Sequence, residues 1–166
     1  VDYLLRRGAA PNRRDDFGVA PLHKAVGHGH MQAALRLLGD GGTDPNLRVG
    51  DVSHRIPTEY QAVSRHQTAL HIACFRQAHG APAYGDARMV AALLRYGADP
   101  TVKDDLGNTA LHYACGACDV PVARLLRRAG ADPRARNAEG ATPGQAVPQA
   151  PWCSAHLLFD VLEGRA

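Results

Sequence analysis

Two short phrases alternate along this 166-residue chain and recur at a fixed spacing. The first phrase joins two leucines to a glycine and then to Asp-Pro or a close variant, and its four copies lie at 4–12, 37–46, 93–100 and 125–133. The second phrase has the form Thr/Ala-Ala/Pro-Leu-His-x-Ala, with copies at 20–25, 68–73 and 109–114 and a degraded copy at Thr142-Pro143. Asp99 and Asp132 are separated by 33 residues, and so are Thr109 and Thr142. A chain with this self-similarity is predicted to be a tandem repeat.

The residue types in each repeat predict two short helices followed by a β-turn hairpin. A leucine and the alanine three residues later, such as Leu22 and Ala25, share one helix face, and the small alanine lets neighbouring helices approach closely. A second helix carries the run that ends in two leucines, and the glycine after it suits the left-handed residue that ends a helix. Asp-x-x-Gly segments such as 104–107 then predict tight turns. Because one such unit cannot bury its own apolar face, its neighbours must cover it.

These phrases and their period resemble the ankyrin repeat, whose marks are a T-P-L-H-x-A motif and a 33-residue period. The resemblance covers essentially the whole chain. It implies an all-α solenoid of stacked helix-turn-helix units with β-hairpin loops. It also implies a protein-interaction module, an adaptor or scaffold, that carries out no catalysis. The histidines of the second phrase (His23, His71 and His112) are then structural and bond to backbone across the repeat.

The spacing of the second phrase locates the repeats and two insertions. We expect a truncated first repeat at 1–14, repeats at 15–48, 63–103 and 104–136, and an irregular capping repeat at 137–166. The excess length lies in an inserted hairpin finger at 49–62 and in a loop at 77–84 between two helices. Loop closure costs little extra as length grows, so both neutral drift and a binding role stay open for the finger. In the last repeat we expect Trp152 and Phe159 to cap the apolar end of the stack, with docking of a further domain as the alternative.

No group of residues predicts catalysis, a metal site or a bound cofactor. His112, Cys115 and Cys118 form the one zinc-like pattern, but zinc needs four converging ligands and no second Cys-x-x-Cys is present. Cys74 and Cys115 fall at the same position of two repeats, which favours buried structural thiols for this cluster. The carboxylates of pairs such as Asp104-Asp105 recur at the hairpins and are interpreted as turn residues.

Charge and composition narrow the choice of partner. A net charge of +3 is too small to indicate binding of nucleic acid. Basic and aromatic residues also do not alternate on one predicted face, as a surface for single-stranded nucleic acid would require. Four cysteines without the density of a disulfide framework predict a reduced intracellular compartment, cytoplasmic or nuclear. No run of eighteen apolar residues predicts a membrane span. We therefore expect a monomeric fragment that binds another protein or peptide.

The resemblance also nominates a binding surface, because in the ankyrin family the hairpin tips and inner helices form a concave face that contacts the partner. Together with Tyr60 of the inserted finger and a basic residue at each hairpin boundary, the nominated positions are Phe17, Val19, Arg48, Tyr60, Arg65, Gln67, Phe75, Arg76, Lys103, Leu106, Asn108 and Arg136, with Asp16, Ser64, Asp105, Gly116 and Ala117 beside them. Phe17 and Phe75 have the strongest case, since aromatic residues dominate interface hot spots.

Two questions about this surface stay open at the level of sequence. The basic row of Arg13-Arg14, Arg48, Lys103, Arg134 and Arg136 fits either an acidic partner or ordinary hairpin chemistry. Narrower roles for the array are the substrate-recognition part of a ubiquitin-ligase adaptor and a regulator of transcription or signalling.

Overall fold

The computed structural model describes residues 1–40, 42–50, 66–75, 87–148 and 153–165. In these ranges the chain forms eight α-helices, one 3-10 helix and no strand, with a single isolated antiparallel bridge between Arg48 and Thr68. The α-helices are α1 (Asp2–Arg6), α2 (Pro21–Gly27), α3 (Met31–Gly39), α4 (Ala69–Phe75), α5 (Ala87–Arg95), α6 (Ala110–Gly116), α7 (Val120–Arg128) and α8 (Ala155–Glu163), and the 3-10 helix spans Pro143–Ala146.

The helices stack in two rows, which confirms the predicted all-α repeat solenoid. In the first-helix row, α2 packs on α4, α4 on α6, and α6 on the 3-10 helix. In the second-helix row, α3 packs on α5, α5 on α7, and α7 on α8. Within each repeat, α2 pairs with α3, α4 with α5 and α6 with α7. Each helix therefore touches its own pair and the adjacent repeat, as a one-dimensional core requires.

The core lies between the two rows and is made of leucine and small residues. Leu70, Leu93, Leu111 and Leu126 are at most 1% exposed. Alanines of the same helices, such as Ala114, are buried beside them, so the helix axes can come close. The predicted inward-facing leucines and alanines of the second phrase are all buried.

The hairpins between repeats are built on one recurring side-chain motif. The Oδ1 atom of Asp104 accepts hydrogen bonds from the backbone N–H groups of Leu106 and Asn108, both at 2.9 Å. Asp15 and Asn137 make the equivalent pair of bonds in their own hairpins. These short polar side chains replace missing backbone partners and so fix the turn.

Adjacent hairpins are tied together at glycines with left-handed backbone. Gly107 has φ +72°, and a Cβ atom placed there would lie 2.7 Å from the backbone nitrogen of Ala138 in the next hairpin. The same nitrogen donates a 2.9 Å hydrogen bond to the carbonyl of Leu106. Glycine is required here both for its φ and for the close approach of two backbones.

The buried histidines join each repeat to the next, as the resemblance implied. In each, Nδ1 accepts from the backbone N–H at the start of its own helix, at 3.1 Å. The opposite ring nitrogen, Nε2, meets a carbonyl of the following hairpin, at Leu47 for His23, at Asn108 for His71 and at Ala141 for His112. A nitrogen that accepts from N–H cannot carry a proton, so this geometry requires the neutral ring protonated at Nε2. The hydroxyls of Thr68 and Thr109 bond to the same Nδ1 atoms, at 2.8 and 2.9 Å.

This arrangement makes stability depend on pH. Burial is the largest cause that lowers the pKa of His23, His71 and His112 below the ordinary value of 6.5. The unfolded chain then binds protons more readily than the folded chain. The free energy of unfolding therefore has its full value above pH ~6.5, and it falls by up to about 1.4 kcal/mol per pH unit for each histidine as the pH drops. Urea denaturation between about pH 5 and 7.5, above the carboxylate range, measures this slope. His71→Gln should show a smaller change of stability with pH than the unmodified chain. His156→Gln, which changes an exposed position of α8, should keep the slope of the unmodified chain. Identical slopes for the two variants and the unmodified chain would contradict the role given to the buried histidines.

The C-terminal end of the stack is closed by α8. Its side chains Leu158, Val161 and Leu162 are buried in the core. A Cβ atom at Gly144, where a core leucine is missing, would lie 3.5 Å from Leu162 and 3.6 Å from Phe159. Phe159 is 45% exposed, so Leu158 and Leu162 are buried more completely at this end of the stack than the residue predicted to cap it. Trp152 lies outside the described residues.

The cysteines divide into two kinds. Cys74 and Cys115 are free and buried, as predicted, and burial raises the pKa of both thiols, that of Cys115 to about 12. Cys118 instead forms a disulfide with Cys153, with Cα atoms 5.6 Å apart. The prediction of a buried free thiol at Cys118 was therefore wrong, because α8 folds back and brings Cys153 beside the turn after α6.

Candidate functional site

The first-helix row carries two sets of equivalent positions at which the side chain differs from repeat to repeat. The last residue of each helix is Gly27 in α2, Phe75 in α4 and Gly116 in α6. The residue after the histidine is Lys24, Ile72 or Tyr113. Repetition of the backbone thus sets different side chains at the same place on neighbouring repeats, and Phe75 and Tyr113 are the aromatic pair among them.

Tyr113 is fixed at the centre of this surface by polar and aromatic contacts. Its hydroxyl donates to the Oδ2 atom of Asp104 and accepts a 3.0 Å bond from the Nε2 group of Gln67. Its ring meets Phe75 edge-on, with ring centroids 5.3 Å apart, and meets His71 edge-on at 6.0 Å. In the second repeat the same two positions are joined by an ion pair of 2.6 Å between Lys24 and Asp15. Tyrosine therefore replaces the cation of that ion pair with an uncharged hydroxyl donor, and its half-buried ring is held between Phe75 and His71.

Beside Tyr113 lies a groove of about 420 Å³ that crosses from α4 over α6 to the 3-10 helix. Its lining residues are Cys74, Phe75, Asn108, His112, Tyr113, Gly116, Ala117, Asn137 and Ala146. The Nδ2 group of Asn137 donates a 3.0 Å bond to Oδ1 of Asn108, which links two hairpins at the rim. The groove thus combines an aromatic wall, a flat floor left by Gly116 and neutral hydrogen-bonding amides.

Several of the residues nominated from sequence meet in this groove. Phe75 and Asn108 line it, together with Gly116 and Ala117. Leu106 is 54% exposed at a hairpin tip nearby in sequence, and Phe17 is half-buried at its own hairpin and does not line the groove. As contacts to a partner, these residues stay a prediction.

Two nominated residues are not on the accessible surface. Val19 is 8% exposed and Gln67 is 1% exposed. Gln67 is used to hold the Tyr113 hydroxyl, and Val19 lies next to the first turn of α2 with its N–H bonded to Asp15. Direct contact of these two side chains with a partner was therefore a wrong expectation. Tyr60, Arg65 and Arg76, with Ser64, lie outside the described residues.

The basic row of the hairpins is tied into backbone contacts. Lys103 donates from Nζ to the carbonyl of Arg136 at 2.8 Å, and Arg14 donates to the carbonyl of Arg48 at 2.9 Å. Arg136 itself donates to the carbonyl of Gly140 at 2.7 Å. These side chains are exposed, but Lys103 and Arg14 connect successive hairpins and Arg136 bonds within its own hairpin, which favours ordinary hairpin chemistry over an acidic partner for this row.

Tyr113 and Asn137 line the groove but were not predicted from the sequence to do so. The variable position after the histidine was treated as neutral, although comparing it across repeats would have shown lysine, isoleucine and tyrosine in register. That comparison was the available signal for Tyr113. Asn137 was interpreted as a turn residue alone, and its side chain performs that role and the link to Asn108 together.

The described residues contain no group of three or more histidine, cysteine or acidic side chains arranged to hold a metal ion. Within the same ranges, none of the helices has the length and apolar character needed to cross a membrane. The groove therefore presents to a ligand a concave shape, aromatic side chains and uncharged hydrogen-bonding groups.

Comparison with known proteins agrees with this repeat architecture. The family model described as "Ankyrin repeat" matches residues 17–49, and that described as "Ankyrin repeats (3 copies)" matches residues 78–145. The chain is 34% identical to "Ankyrin repeat and SOCS box protein 16" of Mus musculus over 87% of its own length. It is 30% identical to "E3 ubiquitin-protein ligase KEG" of Arabidopsis thaliana over 84% of its length. It spans only 29% of the mouse protein and 10% of the plant protein.

Stacked helix pairs, histidine links between repeats and two independent family matches lead to one conclusion: the chain belongs to the ankyrin-repeat family, whose repeats are protein-interaction modules.

Proposed function

We propose that the chain binds a partner protein, as an adaptor or scaffold without catalysis of its own, through the groove that runs beside Tyr113. The observation that carries this proposal is that Phe75, Tyr113 and Gly116, which belong to two repeats, line the same open groove. An aromatic pair held by Asp104 and Gln67 loses little side-chain freedom when a partner docks, and such pre-ordered aromatic groups supply much of the energy of protein interfaces.

The uncharged lining indicates the kind of segment that fits. The Nδ2 groups of Asn108 and Asn137 carry N–H donors beyond the bond that joins the two side chains, so they can donate to a peptide backbone, and the apolar wall suits an aliphatic or aromatic side chain. The Asp104 carboxylate is buried behind Tyr113 and already accepts three hydrogen bonds. Recognition here is therefore expected to depend weakly on salt, since neutral contacts are not screened.

A matched pair of glycine variants tests the groove. Gly116→Gln fills the floor, where a Cβ atom would meet the carbonyl of Ala146 at an ordinary 3.7 Å. Gly39→Gln is its control, because Gly39 also ends a helix, on the second-helix row, with a similar clearance of 3.8 Å to Tyr96. Proteins captured from a cell lysate by each variant are quantified by mass spectrometry, and thermal melting verifies that both variants fold.

We expect Gly116→Gln and Phe75→Ala each to lower capture of the specific partner about tenfold or more, the loss of roughly 1.4 kcal/mol typical of a hot-spot residue. Gly39→Gln should capture the partner at the level of the unmodified chain. Equal recovery by all folded variants would show that the partner binds elsewhere.

A second, narrower function is the substrate-recognition part of a ubiquitin-ligase adaptor. It is favoured by the names of two similar proteins, one a SOCS box protein and one an E3 ubiquitin-protein ligase. Purification of the full-length protein should then recover ubiquitin-ligase subunits, and Gly116→Gln should keep them while losing the substrate. Recovery of a partner without ligase subunits would contradict this narrower role and would still agree with a general protein-interaction module.

A further inference from the structure

Cys118 and Cys153 occupy equivalent positions in the last two repeats. Each directly precedes the residue that begins a second helix as its N-cap, Asp119 for α7 and Ser154 for α8. The disulfide joins the two repeats here, with Cα atoms 5.6 Å apart. Both residues are half-buried, so small thiols in solution can reach the bond. The last two repeats are therefore covalently linked on the edge where the first helix turns into the second.

Cys118 lies at a backbone position that favours glycine. Its φ is +54°, and Gly29 has φ +70° at the same place in the second repeat. The hydrogen bonds match as well, since the N–H of each residue donates at 3.0 Å to the carbonyl three residues earlier, Cys115 or Val26. A side chain at such a φ costs backbone free energy that glycine avoids. A residue kept in a strained conformation points to a use for its side chain, here the thiol.

The first helix of the last repeat is thinly packed. It is a 3-10 helix of four residues, whereas α2, α4 and α6 have seven residues each. Its buried residue is Pro143, and Gly144 stands where the other repeats place a buried leucine. Hydrogen bonds of Asn137 and Ala138 hold the hairpin that precedes this helix. The disulfide holds the chain that follows it, so the covalent link acts on the repeat with the weakest core.

This last repeat forms one end of the groove beside Tyr113. Asn137 and Ala146 belong to the groove lining, and so does Gly116, two residues before Cys118. Loosening the last repeat therefore displaces one wall of the groove. A covalent link at its edge keeps that wall in place.

We propose that Cys118 and Cys153 are a reversible thiol–disulfide site for glutathione, which controls how firmly the last repeat closes the groove. To form the bond, one cysteine thiolate attacks glutathione disulfide and expels a glutathione thiolate. The other cysteine thiolate attacks the mixed disulfide and expels the second glutathione. Two protein thiols are thus oxidised, one glutathione disulfide is reduced, and the two protons go to the released glutathiones. Reduced glutathione reverses both steps.

A purely structural disulfide fits this chain less well. Such bonds are typical of small secreted domains with many cysteines, whereas this chain has four cysteines in 166 residues and keeps Cys74 and Cys115 as buried thiols. Burial raises the pKa of both, so they form little of the thiolate that exchange requires. Exchange is therefore directed to the half-buried pair. Control of partner binding rests on the groove proposed above, whereas the exchange itself does not.

The test compares the chain in glutathione disulfide with the chain in excess reduced glutathione. Alkylation and mass spectrometry count the free thiols, amide hydrogen exchange reports on 143–146 and 155–163, and circular dichroism verifies folding. Cys118→Gly removes the pair and installs the residue that the second repeat has here, so the turn keeps a favourable φ. Cys115→Ala is its control, because it removes the neighbouring cysteine of the Cys-x-x-Cys pattern and leaves the pair intact.

We expect reduced glutathione to free both thiols in the folded chain and to speed exchange in these segments about tenfold or more, with 21–27 and 31–39 unchanged. Cys118→Gly should exchange fast in both buffers, and Cys115→Ala should respond as the unmodified chain does. A disulfide that resists reduced glutathione until the chain unfolds would overturn the proposal. Equal exchange rates in the two buffers, or loss of the response in Cys115→Ala, would overturn it as well.

Capture of the partner from a lysate measures the effect on the groove. Reduction should lower capture by the unmodified chain about threefold or more, and Cys118→Gly should capture at the lower level in both buffers. Unchanged capture, in an assay where Gly116→Gln still lowers it, would overturn control of the groove. If Gly116→Gln has no effect, the proposed binding groove fails, and the exchange rates, measured without a partner, still decide the thiol–disulfide site.

Discussion

Leu126→Ala is expected to lower the free energy of unfolding by about 2–5 kcal/mol, the range for a leucine removed from a packed core. Leu126 is fully buried in α7, which packs against α5, α6 and α8 at once. The truncated side chain leaves a cavity that the three neighbouring helices cannot fill without giving up contacts that they make elsewhere. Urea denaturation measures the loss, and Leu106→Ala is the control, because Leu106 is 54% exposed and should cost within about 0.5 kcal/mol.

The location of the damage is as informative as its size. In a linear stack each repeat touches only its neighbours, so amide hydrogen exchange should accelerate most in α7 and in the helices packed on it, α5, α6 and α8. Helix α2, two repeats away, should change less. A uniform increase over all described helices would instead indicate one closed cooperative core.

Gly107→Ala is expected to destabilise the protein by about 2–5 kcal/mol, clearly more than Gly140→Ala. Both glycines have left-handed φ, +72° and +79°, at the same position of successive hairpins. An alanine at either site carries the backbone cost of about 1–2 kcal/mol. At Gly107 the new methyl group would also collide with the backbone of Ala138, whereas at Gly140 nothing lies within 4 Å. The overpacking cost of roughly 1–3 kcal/mol applies to Gly107 alone.

Chemical denaturation of the two alanine variants gives this difference directly. Because the backbone strain is shared, the difference isolates the contact between neighbouring hairpins. Equal destabilisation would mean that the hairpins separate freely, and that the hydrogen bond from Ala138 to Leu106 contributes little to the stack.

The repeat pattern predicts the fold well because each repeated residue has a single physical role. Leucine and alanine at fixed spacing define the buried face, glycine marks the left-handed positions, and histidine at one place per repeat predicts a link to the next. Each of these requirements is local and recurs in several repeats. Because the same residues recur at the same spacing, the pattern is not a chance match.

The site is less predictable because it depends on how unequal side chains meet across repeats. Gln67 was nominated as a surface residue, but the Tyr113 hydroxyl draws it inward, a contact between positions 46 residues apart. The disulfide between Cys118 and Cys153 was missed for a related reason. It depends on the return of α8 to the stack, in the repeat whose pattern is most degraded.

Hydrogen exchange of the chain with and without its captured partner tests the central claim most directly. If the groove beside Tyr113 is the binding site, the partner should slow exchange in 69–75, 108–117 and 137–146 and leave the second helices unchanged. Slower exchange confined to 31–39, 87–95 and 120–128 would contradict the claim and place the partner on the opposite row.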